Sequence, residues 1–512
     1  MSPDRTPTGP LASASGSASG HSPATGFWLV ISIIITLAVA KAVVADVHDP
    51  DFFWHIRVAE QLEREGIHPI VDHLSYSSIK TPWTPYSWLA ELAMKHIWDA
   101  GGIQLTLLAR CAMVIAIILF ITLACRQLAG RDRPMPTIVA MVFFAWLSFP
   151  YLSYRPATAA MVLLAITIWL LLRDRKLNER SRAVWLVIPI TALCVNIHLT
   201  AIVIPMWVAA LLLGAITERN QSKIQNPKSK IRYTALLIAC GLALLATPML
   251  KGVIQSTWNY QHNDVLVASG LITEMQPIYQ GIVGKVTMLI LALFFFCAYR
   301  GRESLRSGEW FLLAVGTILM FRLGRFAPLF AMTASPILAA TLPNLSDKPL
   351  RHRAIQVVTA IALVTFLYRV IEQFPARNTN FCAWLNRPDL QFHYPCESAD
   401  WVEQNIAPQL DNRTGRLIND FTSGGYLEWR LGPTFQTLMD GRTQLFPADF
   451  WNQTLLAPDD KSRAKFIDKQ HADAAILPTK KSAFRAAIEQ LGWKKVHSDP
   501  DAEVYVPPNS PR

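Results

Sequence analysis

The sequence predicts an α-helical polytopic membrane protein of about eleven transmembrane helices, followed by a C-terminal soluble α/β domain. Three observations predict it. Hydrophobic residues make up 52% of the chain and charged residues only 17%, against about 25% charged in an ordinary soluble protein. The deficit is confined to residues 27–370, and the composition from Ile371 onward is that of a soluble domain. Basic residues recur in every second loop between the apolar runs. The net charge of +11 is therefore no sign of a nucleic-acid partner: Lys and Arg in short loops set orientation in a membrane.

Residues 1–26 are rich in Ser, Pro, Gly, Ala and Thr. They bury too little apolar surface to offset the ordering entropy and are expected to be a disordered cytoplasmic N-terminus. Phe27–Ala45 is long enough to span the hydrocarbon and has no clear cleavage site after it, so it reads as a retained first helix. Apolar runs follow at Ile103–Ala124, Pro136–Phe149, Ala157–Leu172, Ala183–Val195, Leu199–Ile216, Tyr233–Leu250, Ile282–Tyr299, Trp310–Phe321, Phe326–Leu342 and Ala354–Tyr368. Several fall short of the ~20 residues of a straight span. The basic loops are Arg126–Arg133, Arg173–Arg182, Arg219–Arg232, Arg300–Arg306 and Lys348–Arg353. The positive-inside rule makes all five cytoplasmic. The N-terminus is then inside, and residues 371–512 form an extracytoplasmic domain.

The first outer segment, residues 46–102, is too long for a connector. Asp49-Pro50 reads as a helix N-cap with proline at the first helical position, and Gly66 as the terminator. The helix between them has a broad apolar side suited to the membrane surface. Asp51 and His55, four residues apart, share one of its faces. A second helix is expected over Ser87–Trp98. Asp49 has a plain role as a cap, and Asp51 one as a favourable charge at the helix dipole. The functional reading makes Asp51, with Asp49, a general base or a metal ligand.

Other polar residues fall at the same level: Arg155, Asn196, His198, Glu274, Arg322 and Arg325. Each has a structural reading of its own, and His198 suits a hydrogen-bonded core histidine. Together they place carboxylates and guanidiniums at one surface, where ionisable groups near membrane depth face a cavity or a partner. Such a set suits a substrate with a phosphate and a polar acceptor.

In the tail, RTGRLINDFTSGGYLEWRL reads as strand, Gly-rich turn and helix, QTLMDGRTQLFP as strand and turn, ADAAILP as a short buried strand, SAFRAAIEQLGW as an amphipathic helix and AEVYVP as a closing strand. Ser423-Gly424-Gly425 and Asp440-Gly441 read as turns. Cys111, Cys125, Cys194, Cys240 and Cys297 lie in or beside apolar runs as small buried residues. Cys382 and Cys396 lie in the exported tail, where a disulfide is expected between them.

The stretch DPDFFWHIRVAEQLEREGIHPIVDHLSYSSIKTPWTPYSWLAEL resembles a segment of certain bacterial polytopic proteins. These carry Asp-x-Asp-x-x-Trp-His, then Pro-x-x-Asp-x-x-Ser-Tyr, then Trp-Leu-x-Glu. RPAT, NIHLT, the glutamate before QP, RFAP, GGYL and DGR extend the resemblance through most of the chain. In layout these proteins are similar to the GT-C glycosyltransferase superfamily, including the protein O-mannosyltransferases and lipopolysaccharide sugar transferases. The resemblance implies a GT-C-like fold and an acidic catalytic residue in the first outer loop, Asp51 or Asp49. It also implies a polyprenyl-phosphate-linked sugar donor, its phosphate held by the arginines. His55, Arg155, Asn196, His198, Glu274, Arg322 and Arg325 are the expected substrate-binding residues. If a divalent metal takes part, Asp49 and Asp51 are its ligands; the cofactor, sugar and acceptor stay open.

Three function classes follow. The first is a lipid-linked sugar transferase in the plasma membrane. The second is a non-catalytic envelope assembly or binding protein that uses the tail as its module. The third is a lipid or solute transporter, which should show internal repeats and broken helices meeting at the midplane. The chain shows no repeat, and its polar residues gather at one surface instead.

Overall fold

The structure is a computed structural model describing residues 23–44, 49–78, 81–218, 228–262, 265–272, 275–388, 390 and 392–509. The expected disorder of the N-terminus lies outside the described residues up to residue 22. Helix α1 (Pro23–Val44) opens four residues earlier than expected, so Pro23–Gly26 are helical.

Each expected apolar run is helical over most of its length, the run Tyr233–Leu250 leaving its helix after Ala243. After α1 and the helix α2 (Asp51–Glu65) comes the long α3 (Trp88–Ala129). It joins the expected Ser87–Trp98 helix to the second span across a kink at Gly101-Gly102, where Gly102 has φ 52°. Then follow α4 (Pro134–Ser148), α5 (Pro156–Lys176), α6 (Val187–Cys194), α7 (Val203–Thr217) and α8 (Ser229–Ala243). Two further helices, α9 (Leu250–His262) and α10 (Val265–Ser269), lead to α11 (Gly281–Arg300), α12 (Ser307–Arg322), α13 (Ala327–Thr341), α14 (Lys348–Arg351) and α15 (Arg353–Gln373). Pro stands in the first turn of α4, α5 and α13, where its missing N–H leaves no intrahelical bond unmade. Among the described residues, seven helical segments are long and apolar enough to cross a membrane. This is a multi-pass membrane protein.

The basic loops meet at one end of the bundle. Arg175 at the end of α5 is buried, and its guanidinium bonds to Glu309 of α12 (2.9 Å), Glu179 (3.1 Å) and Glu218 (3.0 Å) after α7. Arg306 joins Glu218 and Glu179 from the loop before α12. Arg232 of α8 reaches Asp174, and Arg133 donates to the last carbonyls of α13. Buried charges need such partners, so these loops are fixed by ion pairs as well as by apolar packing.

The opposite end carries the soluble domain. Two short strands of the outer segment, β1 (Ile70–Val71) and β2 (Pro82–Trp83), pair antiparallel. Beyond α15 come α16 (Phe381–Leu385) and α17 (Cys396–Asn405). A five-stranded sheet follows, built from β3 (Gly415–Asn419), β4 (Phe435–Thr437), β5 (Ala474–Pro478), β6 (Lys494–Ser498) and β7 (Ala502–Val506) in the order β4-β3-β5-β7-β6. Helices α18 (Gly424–Leu431), α19 (Ala448–Gln453), α20 (Asp460–Asp468) and α21 (Arg485–Gln490) connect it. The strand over residues 494–498 is an addition to the expected set: its burial is poor throughout, so no alternation marks it in the sequence.

One expectation is corrected. The apolar side of α2 does not lie on the membrane surface. Phe52, Phe53, Trp54, Ile56, Val58 and Leu62 are all buried, between α3 and the soluble domain. Phe53 packs edge-on against Tyr394 and Tyr426, with ring centroids 5.3 and 5.2 Å away. An apolar face with an aromatic-rich protein partner gains directional ring contacts that lipid cannot offer.

The two cysteines expected to form a disulfide stand side by side. Cys382 and Cys396 are both free thiols. They hydrogen-bond to each other, and the Tyr426 hydroxyl lies 3.9 Å from one sulfur and 3.3 Å from the other. That bond lowers the Cys382 thiol and, together with burial, raises the Cys396 thiol.

Candidate functional site

The site forms where the start of α2 meets the turns at the end of the bundle that faces the soluble domain. Asp49 does two jobs. Its Oδ1 accepts the Asp51 backbone N–H (3.1 Å), which is the expected N-cap contact. Its Oδ2 accepts Nε–H of Arg155. Arg155 occupies the cap position of α5 with extended backbone, ahead of Pro156, and that geometry points its side chain back at α2. Its Nη2 also lies 3.5 Å from Asp51 Oδ2. Asp51 Oδ1 accepts the indole N–H of Trp54 (3.0 Å). The Asp49 side chain is 1% exposed and that of Asp51 25%, so Asp51 is the carboxylate within reach of a ligand.

His55 shares the Asp51 face, as its spacing predicts. Its Nδ1 is 3.0 Å from Oε1 of the buried Glu91 in the first turn of α3. His198 enters from the turn between α6 and α7. Its Nδ1 accepts the Thr200 backbone N–H (3.2 Å), which leaves the ring proton on Nε2. Burial, reinforced by Arg325, His55 and Arg155, lowers its pKa to about 3, so His198 is neutral at physiological pH.

Arg322 ends α12, and Arg325 lies in the single turn that leads into α13. Both line an apolar cavity of about 530 Å³ together with His198, Ile202, Met206 and Leu319. Arg322 is exposed and Arg325 half-buried. A neighbouring cavity of about 230 Å³ is lined by Asp49, Arg155, His198 and Arg325. A third, of about 320 Å³, is lined by Asp51, His55, Arg155, His198 and Arg325 on the bundle side. Its other wall is the soluble domain, through Phe421, Thr422, Gly441, Thr443 and Gln444.

Most of the expected site residues therefore converge. Asn196 stands apart. Its carbonyl oxygen accepts the Trp88 indole N–H (2.8 Å), and its amide donates to the carbonyls of Ala192 and Ala246. It ties α3, α6 and the end of α8 together and lines none of these three cavities. Glu274 lies outside the described residues.

Among the described residues no group of three His, Cys, Asp or Glu could hold a metal ion. The guanidinium of Arg155 already lies against both Asp49 and Asp51, in the place a bridging cation would take. The described donor set does not fit a divalent metal.

Two sets of residues were missed in the sequence. Glu91 belongs to the Trp-Leu-x-Glu stretch, but nothing in the sequence pairs it with His55. The second set clamps the soluble domain to the segment between α2 and α3. Arg442 is wholly buried and bonds to Asp440 (Nε to Oδ1, 3.0 Å), to Asp72 of the outer segment, and approaches Glu428 at 3.6 Å. Asp72 also accepts from Ser75 N–H (3.2 Å) and Ser78 Oγ (2.7 Å). Ser75 in turn bridges to β4 at Thr437. The Asp-x-x-Ser-Tyr and Asp-Gly-Arg stretches are the two halves of this clamp. Their separation in the chain hides the pairing.

No protein-family model and no curated protein sequence matches this chain. Among solved structures, the oligosaccharyltransferase of Archaeoglobus fulgidus in its apo form is similar, with a TM-score of 0.50 at 12% identity, over 94% of this chain and 75% of that one. ArnT from Cupriavidus metallidurans in the apo state gives a TM-score of 0.48 at 15% identity, over 94% of this chain and 98% of that one. The likeness to the archaeal protein is one of fold.

Proposed function

Starting from its GT-C fold, we propose that this multi-pass membrane chain is a glycosyltransferase. It takes a sugar from a polyprenyl-phosphate-linked donor and passes it to an acceptor on the extracytoplasmic face. The observation that carries the reading is the junction of two cavities at Arg325 and His198. One is apolar, runs along the ends of α7 and α12, and has Arg322 at its rim. The other is polar and holds Asp51. An isoprenoid tail suits the first. Arginine forks suit a phosphate at the junction. The sugar and acceptor suit the second, where Asp51 is the catalytic carboxylate and Arg155 fixes its position. Asp49 holds Arg155 and caps α2.

Purified protein incubated with a panel of radiolabelled polyprenyl-phosphate sugars tests this directly, and transfer or release of label from at least one is expected. Arg322→Gln and Arg325→Gln should each weaken donor binding by about 10- to 100-fold, the worth of one charge-assisted hydrogen bond, with thermal stability in detergent retained. Normal donor binding by both variants, with stability lost in each, would assign the arginines to internal pairing and remove the phosphate site.

The orientation follows from the basic loops. Reporter fusions after Arg133, Arg180, Lys228, Arg302 and Arg351 should report the cytoplasm, and fusions near Gly66, Gly270 and Gly415 the outside. One robust reversal among them breaks the assignment of the Asp51 cavity to the outer face.

A further inference from the structure

We propose that His55 accepts the proton of the acceptor hydroxyl, with Glu91 as its positioning partner. The proposal rests on the glycosyl-transfer reading and adds the proton's destination to it.

The first argument concerns Glu91. Its side chain is 1% exposed. One oxygen meets His55 Nδ1 at 3.0 Å, and the other, Oε2, is buried with no hydrogen-bond partner. Taking a carboxylate out of water with so few donors is costly. A glutamine could hold a neutral imidazole in place at less cost. What a carboxylate adds is stabilisation of the imidazolium once the ring gains a second proton.

The second argument concerns direction. Nδ1–H faces Glu91, so the lone pair of the neutral ring is on Nε2. His55 lines the cavity that holds Asp51, Arg155 and His198, and Nε2 is the nitrogen left for it. The Trp54 ring lies against the imidazole, with centroids 3.6 Å apart, and fixes its plane.

The third argument is by comparison with the other groups in the cavity. Asp51 already accepts from Trp54 and lies beside Arg155. Asp49 accepts from Arg155 and from the Asp51 N–H. His198 has its lone pair engaged by Thr200 and presents N–H to the cavity, so it donates. Among the described residues of the cavity, the His55–Glu91 pair is the one arranged as an acceptor backed by a second acceptor.

The step balances as follows. The acceptor O–H bond breaks and its proton goes to His55 Nε2. The freed electron pair forms the bond to the anomeric carbon of the sugar. The bond from that carbon to the lipid phosphate oxygen breaks, and its pair leaves with the phosphate. The imidazolium then lies against Glu91. Asp51 orients the acceptor hydroxyl.

Two measurements on the full chain in detergent test this. The first is modification by diethyl pyrocarbonate with peptide mapping. His55 should be modified, since a proton acceptor must be reachable from the cavity. No modification of His55 under conditions that fully modify the exposed His68 and His96 overturns the proposal. The second is turnover of whichever radiolabelled panel donor the unaltered chain uses. His55→Asn keeps a donor toward Glu91 but has no Nε2, and Glu91→Gln keeps shape without charge. Each should lower turnover about 100-fold or more, with donor affinity and melting temperature held. Glu91→Asp, which restores the charge, should recover part of the loss. Full turnover by His55→Asn, or equal loss in Glu91→Gln and Glu91→Asp, overturns the assignment. Should the unaltered chain use no panel donor while His55 is modified normally, the transfer reading has failed and the proposal falls with it.

Discussion

Arg442→Met should destabilise the protein by about 3–5 kcal/mol, the cost of removing one partner from a buried ion pair. Methionine matches the length and fills the space, so lost charge is the main change. The guanidinium serves Asp440 and Asp72 at once and lies near Glu428, and all four side chains are at most 1% exposed. Burial together with the Asp440 charge pushes the Glu428 carboxyl well above the usual range, while its Oε1 accepts the Thr437 hydroxyl (2.7 Å). Two buried carboxylates then depend on one arginine. Burial opposes the Asp440 charge, yet Arg442 outweighs it and holds that carboxyl below its ordinary value of 3.8. A lowered carboxylate contributes stability above its unfolded pKa and loses it as pH falls through the folded value. The clamp is therefore complete at neutral pH and fails in acid. The melting temperature in detergent and the abundance in membranes are the readouts. Arg442→Lys keeps the charge but cannot fork across Asp440 while reaching Asp72, so it should fall between. Unchanged melting in Arg442→Met would show that the soluble domain is seated by its aromatic contacts alone.

That clamp marks the limit of what the sequence shows. The helical class and the span order were legible because long apolar runs and alternating basic loops are local signals with one physical cause each. The soluble domain was legible in outline, since buried strands such as Ala474–Pro478 read as short apolar runs, whereas Lys494–Ser498 is exposed and reads as loop. The convergence of Arg155, His198 and Arg325 followed from counting hairpins. Pairings across the chain did not. Arg442 reads as a turn residue until Asp72, 370 positions earlier, is brought beside it. Glu91 is one letter of Trp-Leu-x-Glu until α2 is packed on α3 and His55 is brought beside it. The amphipathic α2 misled for a related reason: an apolar face states that it is covered, and does not state by what.

Gly441→Ala should abolish activity while leaving the protein folded. A Cβ at this position would stand 1.9 Å from Asp51 Oδ1 and 2.9 Å from Trp54 Nε1. Neither contact is with backbone. The Asp51 carboxylate is the tip of a short side chain and can rotate away, so the loss of stability is small. What rotation forfeits is the geometry: the Trp54 bond breaks and the approach of Arg155 is lost. A displacement of about 1 Å in a reacting group is enough for a 100-fold loss of rate. Gly425→Ala is the contrasting case. Its Cβ would meet the Pro50 carbonyl oxygen and the Trp54 backbone nitrogen at 2.9 and 3.2 Å, and backbone cannot turn aside. That change should push the soluble domain off α2 and lower the melting temperature. Gly241→Ala, with open space around its Cβ, should be neutral or slightly stabilising, since alanine is the better helix former. Asp51→Asn closes the argument. It removes the charge without moving anything, and it should match Gly441→Ala in turnover of the radiolabelled donor, with abundance intact in both. Asp49→Ala removes the cap and the partner of Arg155, so it should lose stability as well, by about 1 kcal/mol for the cap alone. Full turnover by Gly441→Ala, with Asp51→Asn inactive, would show that the carboxylate works from a second position. Full turnover by both would leave Asp51 as a structural partner of Arg155 and take the catalytic carboxylate out of this cavity.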